Sequence, residues 1–273
     1  MISEYREKER IKAVKIRDDF FKDPGDGAFL GKKRDFVLSR PTINLWAAIR
    51  EDAIDYFKKN QIEWWKSKDE PTGHLLSSQI ACLNHLFFIR HRQDIATEIL
   101  KNILPSTKTA CIIDDGFVEF EIIGQKNYLN EKSHKRGIIS TSIDAMMLAE
   151  DTNNKRTLIF IEWKYTEFYE EKSLAKSKKG TNRVEIYKPL LDQKDCPIKV
   201  DDITSLFYDP YEQLMRQTLL AWSMCKAKEY NAQDWLHLHV IPKENTELRN
   251  RNTSPKLFGK NMSEVWKSVL VKL

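Results

Sequence analysis

The segment Ile138-Ile-Ser-Thr-Ser-Ile-Asp144 opens an apolar run, and Leu158-Ile-Phe-Ile-Glu162-Trp-Lys164 follows shortly after it. The polar stretch Glu150-Asp-Thr-Asn-Asn-Lys-Arg156 separates the two. Because paired asparagines tolerate a positive φ, this stretch predicts a tight turn. We therefore predict a β-hairpin with strands at 138–149 and 157–165.

The predicted hairpin brings two acidic side chains and a lysine together. Side chains alternate along a strand, so Glu162 and Lys164 share one face. A turn centred on the paired asparagines places Asp144 opposite this stretch, and directly opposed Cβ atoms lie roughly 4.5–5.5 Å apart. One divalent ion would then bridge both carboxylates. A slip of one residue in register would move Asp144 to the other face.

Two structural alternatives compete with a metal site. A second Glu-x-Lys pattern, Glu170-Glu-Lys172, lies in a polar run that is typical of solvated surface. Glu162 differs because it follows Leu158–Ile161, which is typical of a buried strand. A buried carboxylate is costly without a partner or a metal. A plain Asp144–Lys164 salt bridge would also meet that need.

The composition sets the outer bounds. The chain has 273 residues, is 41% hydrophobic and carries a formal net charge of +5. This length suits one elaborated domain, and we divide the chain into a helical extension at 1–70 and a domain at 71–273. No apolar run approaches the ~20 residues of a membrane span, and the four cysteines form no CxxC pair. We expect a cytoplasmic protein with no membrane partner.

Basic residues flank the predicted hairpin on both sides. Lys135 and Arg136 precede it, and Lys178, Lys179 and Arg183 follow it in a basic segment at 172–188. Lysines and arginines near a metal centre would neutralise phosphates and make binding salt-dependent. These five residues are the predicted nucleic-acid contacts, and a solubilising loop is the alternative.

The remaining periodicity predicts an element order of α-β-β-β-α-β after a charged, helical arm at 1–22. An amphipathic pattern predicts a helix over 42–68. The other predicted helices are 75–103, 210–229 and 262–272, and the other predicted strands are 110–123 and 235–241.

This order and these residues resemble the PD-(D/E)XK nuclease superfamily, whose motif is an Asp near the second core strand and Glu-x-Lys on the third. The resemblance spans about 76–241, although Ile143 stands where the motif has proline. More narrowly, a bacterial restriction endonuclease family is similar in Leu76-Ser-Ser-Gln79, Phe120-Glu121, Thr141-Ser-Ile-Asp144, Glu162-Trp-Lys164-Tyr-Thr-Glu167 and Tyr211-Glu-Gln-Leu-Met-Arg216.

The resemblance implies an α/β fold with a restriction-endonuclease-like core, a central mixed sheet flanked by helices. It implies Asp144, Glu162 and Lys164 as catalytic residues. Asp144 and Glu162 would hold Mg²⁺, or Mn²⁺ in its place, and Glu121 would complete the shell. Glu119 shares the predicted face of Glu121, so either glutamate fits that role.

Other polar residues are weaker candidates. Gln79, Glu167 and Gln213 are expected to support the site. Gln213, Arg216 and Gln217 share the helical face opposite the apolar stripe, and surface exposure is the simpler interpretation. His237 and His239 share one face of the last strand, but the sequence offers no third ligand for a transition metal.

The predicted function is a metal-dependent endonuclease that cleaves DNA in restriction or defence. The alternatives are a non-catalytic nucleic-acid-binding protein with a nuclease-like fold, and an unrelated α/β protein with a structural salt bridge. The sequence leaves RNA as a substrate and a homodimer open.

Overall fold

A computed structural model describes residues 3–67, 69–136, 140–177 and 180–271. Its helices are α1 (Glu4–Ile16), α2 (Arg50–Lys59), α3 (Ser78–Leu86), α4 (Gln93–Ile103), α5 (Arg183–Leu191), α6 (Tyr211–Lys226), α7 (Thr246–Asn250) and α8 (Met262–Val269). Its strands are β1 (Ala28–Phe29), β2 (Lys32–Lys33), β3 (Thr107–Cys111), β4 (Glu119–Ile122), β5 (Ile143–Asp151), β6 (Arg156–Trp163) and β7 (Asp234–Val240).

Five strands form one mixed sheet. Its order is β3-β5-β6-β7, and β4 also pairs with β5. The β6–β7 pairing is parallel and the others are antiparallel. The single strand predicted at 110–123 is therefore two strands along one edge of β5. Turn-forming residues cause the break, since Asp114 has a φ of +51° and a bridge joins Ile113 to Gly116.

The predicted hairpin is present as β5 and β6. Ala145 lies opposite Ile161, and the pairing continues to Glu150 and Arg156. Asp151 closes the turn, because its Oδ1 accepts the backbone N–H groups of Asn153 at 2.8 Å and Lys155 at 2.9 Å. The first part of the predicted strand, 137–139, lies outside the described residues.

Helices cover both faces of the sheet. Leu158 and Phe160 of β6 belong to a hydrophobic cluster that includes α6. Ile159 and Ile161 belong to a second cluster with residues of α2, α3 and α4. This alternation follows from the two-residue period of a strand. The protein is thus an α/β structure with a five-stranded mixed sheet between helical layers, in agreement with the predicted fold class.

Two predicted helices are shorter than the sequence indicated. The helix predicted at 75–103 is α3 and α4 with a 3-10 turn between them, Phe87–His91. Among the described residues, the helix predicted at 42–68 is reduced to α2 and a preceding 3-10 turn, Pro41–Asn44, and Gln61 adopts a φ of +53° just after α2. Short-range apolar periodicity does not register such breaks.

The N-terminal region packs against the sheet. Leu45 and Trp64 belong to the same buried cluster as Ile80 and Phe120. The charged arm is helical, as predicted, and buries Tyr5, Glu9 and Ala13. The division of the chain at residue 70 stays a prediction. A membrane span was also sought among the described residues, and none of their helices has the required length and apolar character.

Candidate active site

A cleft of about 540 Å³ lies at the end of the β5–β6 hairpin. The carboxylates of Glu121, Asp144 and Glu162 line it together with Lys164. Glu121 and Glu162 are only 6% and 3% exposed, and Lys164 is 4% exposed. The residues predicted from the hairpin therefore meet in one buried place.

The register of the hairpin explains this meeting. One step beyond the Ala145–Ile161 pair, Asp144 stands opposite Glu162. Its Oδ2 accepts the Trp163 N–H at 2.7 Å. Lys164 follows the last residue of β6 and is held by its own N–H, which donates to the Val240 carbonyl at 2.8 Å. Its Nζ donates to Glu162.

The electrostatics of the cleft are those of buried, mutually repelling acids. Burial, with the charge of Glu162 in addition, raises the pKa of Asp144 well above its ordinary value. Burial also raises the pKa of Glu121, and Glu162 adds to this effect. Burial alone would lower the pKa of Lys164, but the Glu162 carboxylate raises it well above the ordinary value. The site thus concentrates negative charge around one ammonium group.

Glu121 and Glu119 do not share a network. Glu121 accepts hydrogen bonds from Gln79 Nε2 at 2.6 Å and Ser142 Oγ at 2.7 Å. Glu119 instead accepts from the Tyr56 hydroxyl at 2.6 Å and from Arg90 at 2.7 Å. Of the two glutamates that strand parity left open, Glu121 is the one that lines the cleft.

The predicted supporting residues all line the cleft. Gln79 bridges two elements, because its Oε1 accepts the Trp65 N–H at 2.9 Å while its amide holds Glu121. Glu167 accepts the Tyr165 N–H at 2.5 Å. Gln213 accepts a hydrogen bond from the Tyr169 hydroxyl at 3.3 Å.

The expected exposure of Gln217 is wrong. This side chain is 1% exposed, and its amide donates to Glu162 and, at 3.3 Å, to the Ser142 carbonyl. The prediction failed because both faces of α6 are buried, so polarity on the second face did not indicate solvent. Arg216 likewise turns inward, to Glu212 and the Thr141 hydroxyl.

Of the five predicted nucleic-acid contacts, the three that belong to the described residues do not line this cleft. Lys135 is exposed, and one guanidinium nitrogen of Arg136 is buried without a partner among the described atoms. Arg183 forms an ion pair with Glu212. Lys178 and Lys179 lie outside the described residues. Their role in binding stays a prediction.

The N-terminal region adds basic and aromatic residues to the cleft that the sequence patterns did not predict. Arg6 and Arg10 come from α1, Phe29 from β1, and Trp65 from the segment after α2. One contact of this region spans 160 positions, since Arg6 Nε donates to the Thr166 carbonyl at 2.9 Å. No local pattern signals a contact of this range.

The two histidines of β7 line a separate groove of about 960 Å³. Burial lowers the pKa of His237 to about 4 and that of His239 well below its ordinary value. Within the described part of the chain, no group of three or more His, Cys, Asp or Glu side chains is arranged to hold a metal ion.

The fold and the cleft define an α/β protein with a five-stranded mixed sheet and an acidic, lysine-containing cleft at the end of a hairpin. The family model described as restriction endonuclease associating with ARP matches residues 15–273, so the chain belongs to that family. Neither the curated proteins nor the solved structures gave a significant match.

Proposed function

We propose that this protein is a metal-dependent endonuclease with a PD-(D/E)XK core that hydrolyses DNA phosphodiester bonds in restriction or defence. The observation that carries the proposal is the cleft in which Asp144, Glu162 and Lys164 are brought together. Membership of a restriction endonuclease family supports DNA as the substrate class.

The donor set of the cleft fits Mg²⁺. Asp144, Glu162 and Glu121 offer only oxygen ligands, and their charges outnumber that of Lys164. Mg²⁺ prefers oxygen, keeps several waters and is usually held by one or two carboxylates. Among the described residues, no group of three or more His, Cys, Asp or Glu side chains is arranged to hold a metal ion, which is compatible with an ion held by only one or two carboxylates. When bound, Mg²⁺ supplies polarisation of a phosphoryl oxygen and a lowered pKa for a bound water.

The chain's own residues would orient the reacting groups. Glu162 is held by the Lys164 ammonium and the Gln217 amide, and Asp144 by the Trp163 N–H. Such contacts fix the direction of a carboxylate that binds a ligand. Lys164 would position the attacking water and stabilise the negative charge that develops on the phosphoryl oxygens.

A second candidate is a non-catalytic nucleic-acid-binding protein. The observation that favours it is that Glu162 already has two donors within the protein, so its role in a salt bridge is complete without a metal. The two candidates differ in one measurable property, the breaking of a phosphodiester bond.

Plasmid cleavage tests the proposal. Supercoiled DNA is incubated with the protein and Mg²⁺ or Mn²⁺, and nicked and linear products are quantified on a gel. We expect cleavage by the wild type, and a loss of at least about 100-fold in Asp144→Asn and in Lys164→Ala. Glu170→Gln and Lys172→Ala are matched controls, because they alter the exposed Glu-x-Lys pattern outside the cleft.

Two results would count against this function. If the wild type binds DNA but nicks it with neither metal, the non-catalytic candidate is correct. If Asp144→Asn cleaves as well as Glu170→Gln, cleavage occurs elsewhere and the assigned site is wrong.

A further inference from the structure

Helix α1 supplies two arginines to the cleft. Arg6 and Arg10 both line it, together with Lys66 from the segment after α2. Both arginines precede residue 15, where the match to the family begins. The matched residues therefore do not include either arginine.

Helix α1 is fixed in place by contacts along its length. Glu247 of α7 accepts the Tyr5 N–H at 3.0 Å and holds the Ser3 hydroxyl. Glu9 accepts the hydroxyl of Tyr165, one residue beyond Lys164, at 2.9 Å. With the bond from Arg6 to the Thr166 carbonyl, these contacts hold the helix beside the reactive end of β6.

Among the described atoms each arginine keeps donors for which no hydrogen bond is found, although Arg10 Nη1 is paired with Glu7. Arg10 Nε is buried and has no hydrogen-bond partner among the described atoms. The Arg10 guanidinium carbon lies over the Phe36 ring, 5.0 Å from its centre, and this contact restricts the orientation of the guanidinium group. Arg6 uses Nε for the Thr166 carbonyl, which leaves its terminal amino groups for a ligand. Arginine is well suited to bind phosphate oxygens.

Aromatic residues line the same cleft. The rings of Phe29 and Trp65 stack with centroids 5.1 Å apart, and Trp65 is still 38% exposed. The backbone of Trp65 is connected to the carboxylates, because its backbone N–H donates to Gln79 Oε1 and Gln79 Nε2 donates to Glu121. The residues that the N-terminal region adds to the cleft, Arg6, Arg10, Lys66 and Trp65, combine positive charge with an exposed aromatic ring. That combination is typical of binding sites for single-stranded nucleic acid, whose unpaired bases stack on such rings.

The burial of the acidic residues also favours a single strand over a duplex. Glu162 and Lys164 are 3% and 4% exposed, at the bottom of a cleft of about 540 Å³. That volume lies in the range that encloses a small ligand. In a duplex the bases are stacked inside and present no free face to Trp65.

We infer that the cleft binds one unpaired strand of DNA, with backbone phosphates against Arg6 and Arg10 and a base stacked on Trp65. The inference rests on the proposed function and narrows its substrate to single-stranded or locally unpaired DNA.

Fluorescence anisotropy of the full chain with labelled oligonucleotides tests the inference. Ca²⁺ replaces Mg²⁺ so that binding is measured without a requirement for cleavage. The probes are a single-stranded DNA, its duplex, and a single-stranded RNA of the same sequence. We expect the single-stranded DNA to bind at least tenfold more tightly than the duplex. Tighter binding of the duplex or of the RNA would overturn the inference.

Charge variants identify the phosphate contacts. The double variant Arg6→Gln with Arg10→Gln keeps amide donors but removes two charges. We expect it to weaken binding of the single strand at least tenfold and to reduce the salt slope by about 1.4, since each phosphate contact on single strands contributes about 0.7. Lys8→Gln with Lys15→Gln is the matched control, because these residues are exposed on the same helix. Equal losses in the two double variants would overturn the assignment.

The stacking contact has its own signature. We expect Trp65→Ala to weaken binding of the single strand about tenfold with no change in the salt slope. Phe258→Ala is the control, since Phe258 is 84% exposed and is not among the residues of the cleft. Plasmid nicking without a single-strand preference would overturn only this inference. Single-strand binding without cleavage under Mg²⁺ or Mn²⁺ would overturn only the proposed function.

Discussion

Glu119 and Glu121 lie two residues apart on β4, and both are buried, yet their surroundings differ in kind. Glu119 pairs with the guanidinium of Arg90, which itself lies over the Tyr56 ring at 4.2 Å. Glu121 has the neutral donors of Gln79 and Ser142. The first carboxylate is matched by a positive charge and the second is not.

The difference separates a structural acid from a candidate functional one. Burying a charge without a counter-charge costs free energy, and proteins keep such groups mainly at sites that bind or react. Glu121 also adopts a φ of +52°, a strained conformation for a residue with a side chain. Strain and unmatched charge fall on the same residue, beside Asp144 and Glu162. We therefore expect mutations at the two glutamates to have opposite effects on stability.

The largest effect on stability is expected when the ion pair between Arg90 and Glu119 is removed. Arg90→Ala leaves a buried carboxylate without its counter-charge, which typically costs about 3–5 kcal/mol. The melting temperature should fall by roughly 10 °C, measured by circular dichroism. Arg92→Ala is the control, because Arg92 forms an exposed pair with Asp94. A melting temperature equal to that of the control would show that the ion pair of Glu119 does not stabilise the fold.

The next effect concerns the unmatched charge in the cleft. Mg²⁺ that binds only the folded protein should raise the free energy of unfolding by about 2.7 kcal/mol at 100 times its dissociation constant. Thermal unfolding with and without excess chelator measures this. Asp144→Asn should abolish the response, whereas Glu170→Gln should keep it. A response that survives Asp144→Asn would place the ion elsewhere.

The sequence predicted the hairpin and placed both glutamates on the strand before it, but it did not predict which of the two lines the cleft. The hairpin was predictable because alternation and paired asparagines are local signals, and β5 and β6 follow them. Strand parity put Glu119 and Glu121 on one face, since it cannot register the left-handed backbone at Glu121. Their partners, Arg90 and Gln79, come from the helical region before the sheet, and such long-range contacts leave no periodic trace.

The sequence also did not predict how Gln217 and Arg6 contribute to the site. Gln217 is polar on a helix that looked amphipathic, yet α6 is buried on both faces. Arg6 reaches the cleft through a contact with Thr166 that only the folded chain creates. Sequence patterns thus identify the acids and the lysine, which form a compact motif. They do not identify the residues that hold or cover them.

The smallest effect, and the sharpest test of the comparison, is expected at Glu121. Glu121→Gln keeps the shape of the side chain and removes the unmatched charge. Its oxygen can still accept from Gln79, and its NH₂ group can donate to the Ser142 hydroxyl in place of the bond that Ser142 now donates. We expect the free energy of unfolding in urea to rise, because burial disfavours the charged form and raises the pKa of Glu121, and the neutral amide removes that cost. Glu119→Gln should lower it by about 2 kcal/mol, since Arg90 then loses its buried counter-charge and keeps only the partly exposed carboxylate of Asp115. Equal losses in the two variants would mean that the fold compensates both charges alike, and Glu121 would then be a structural acid.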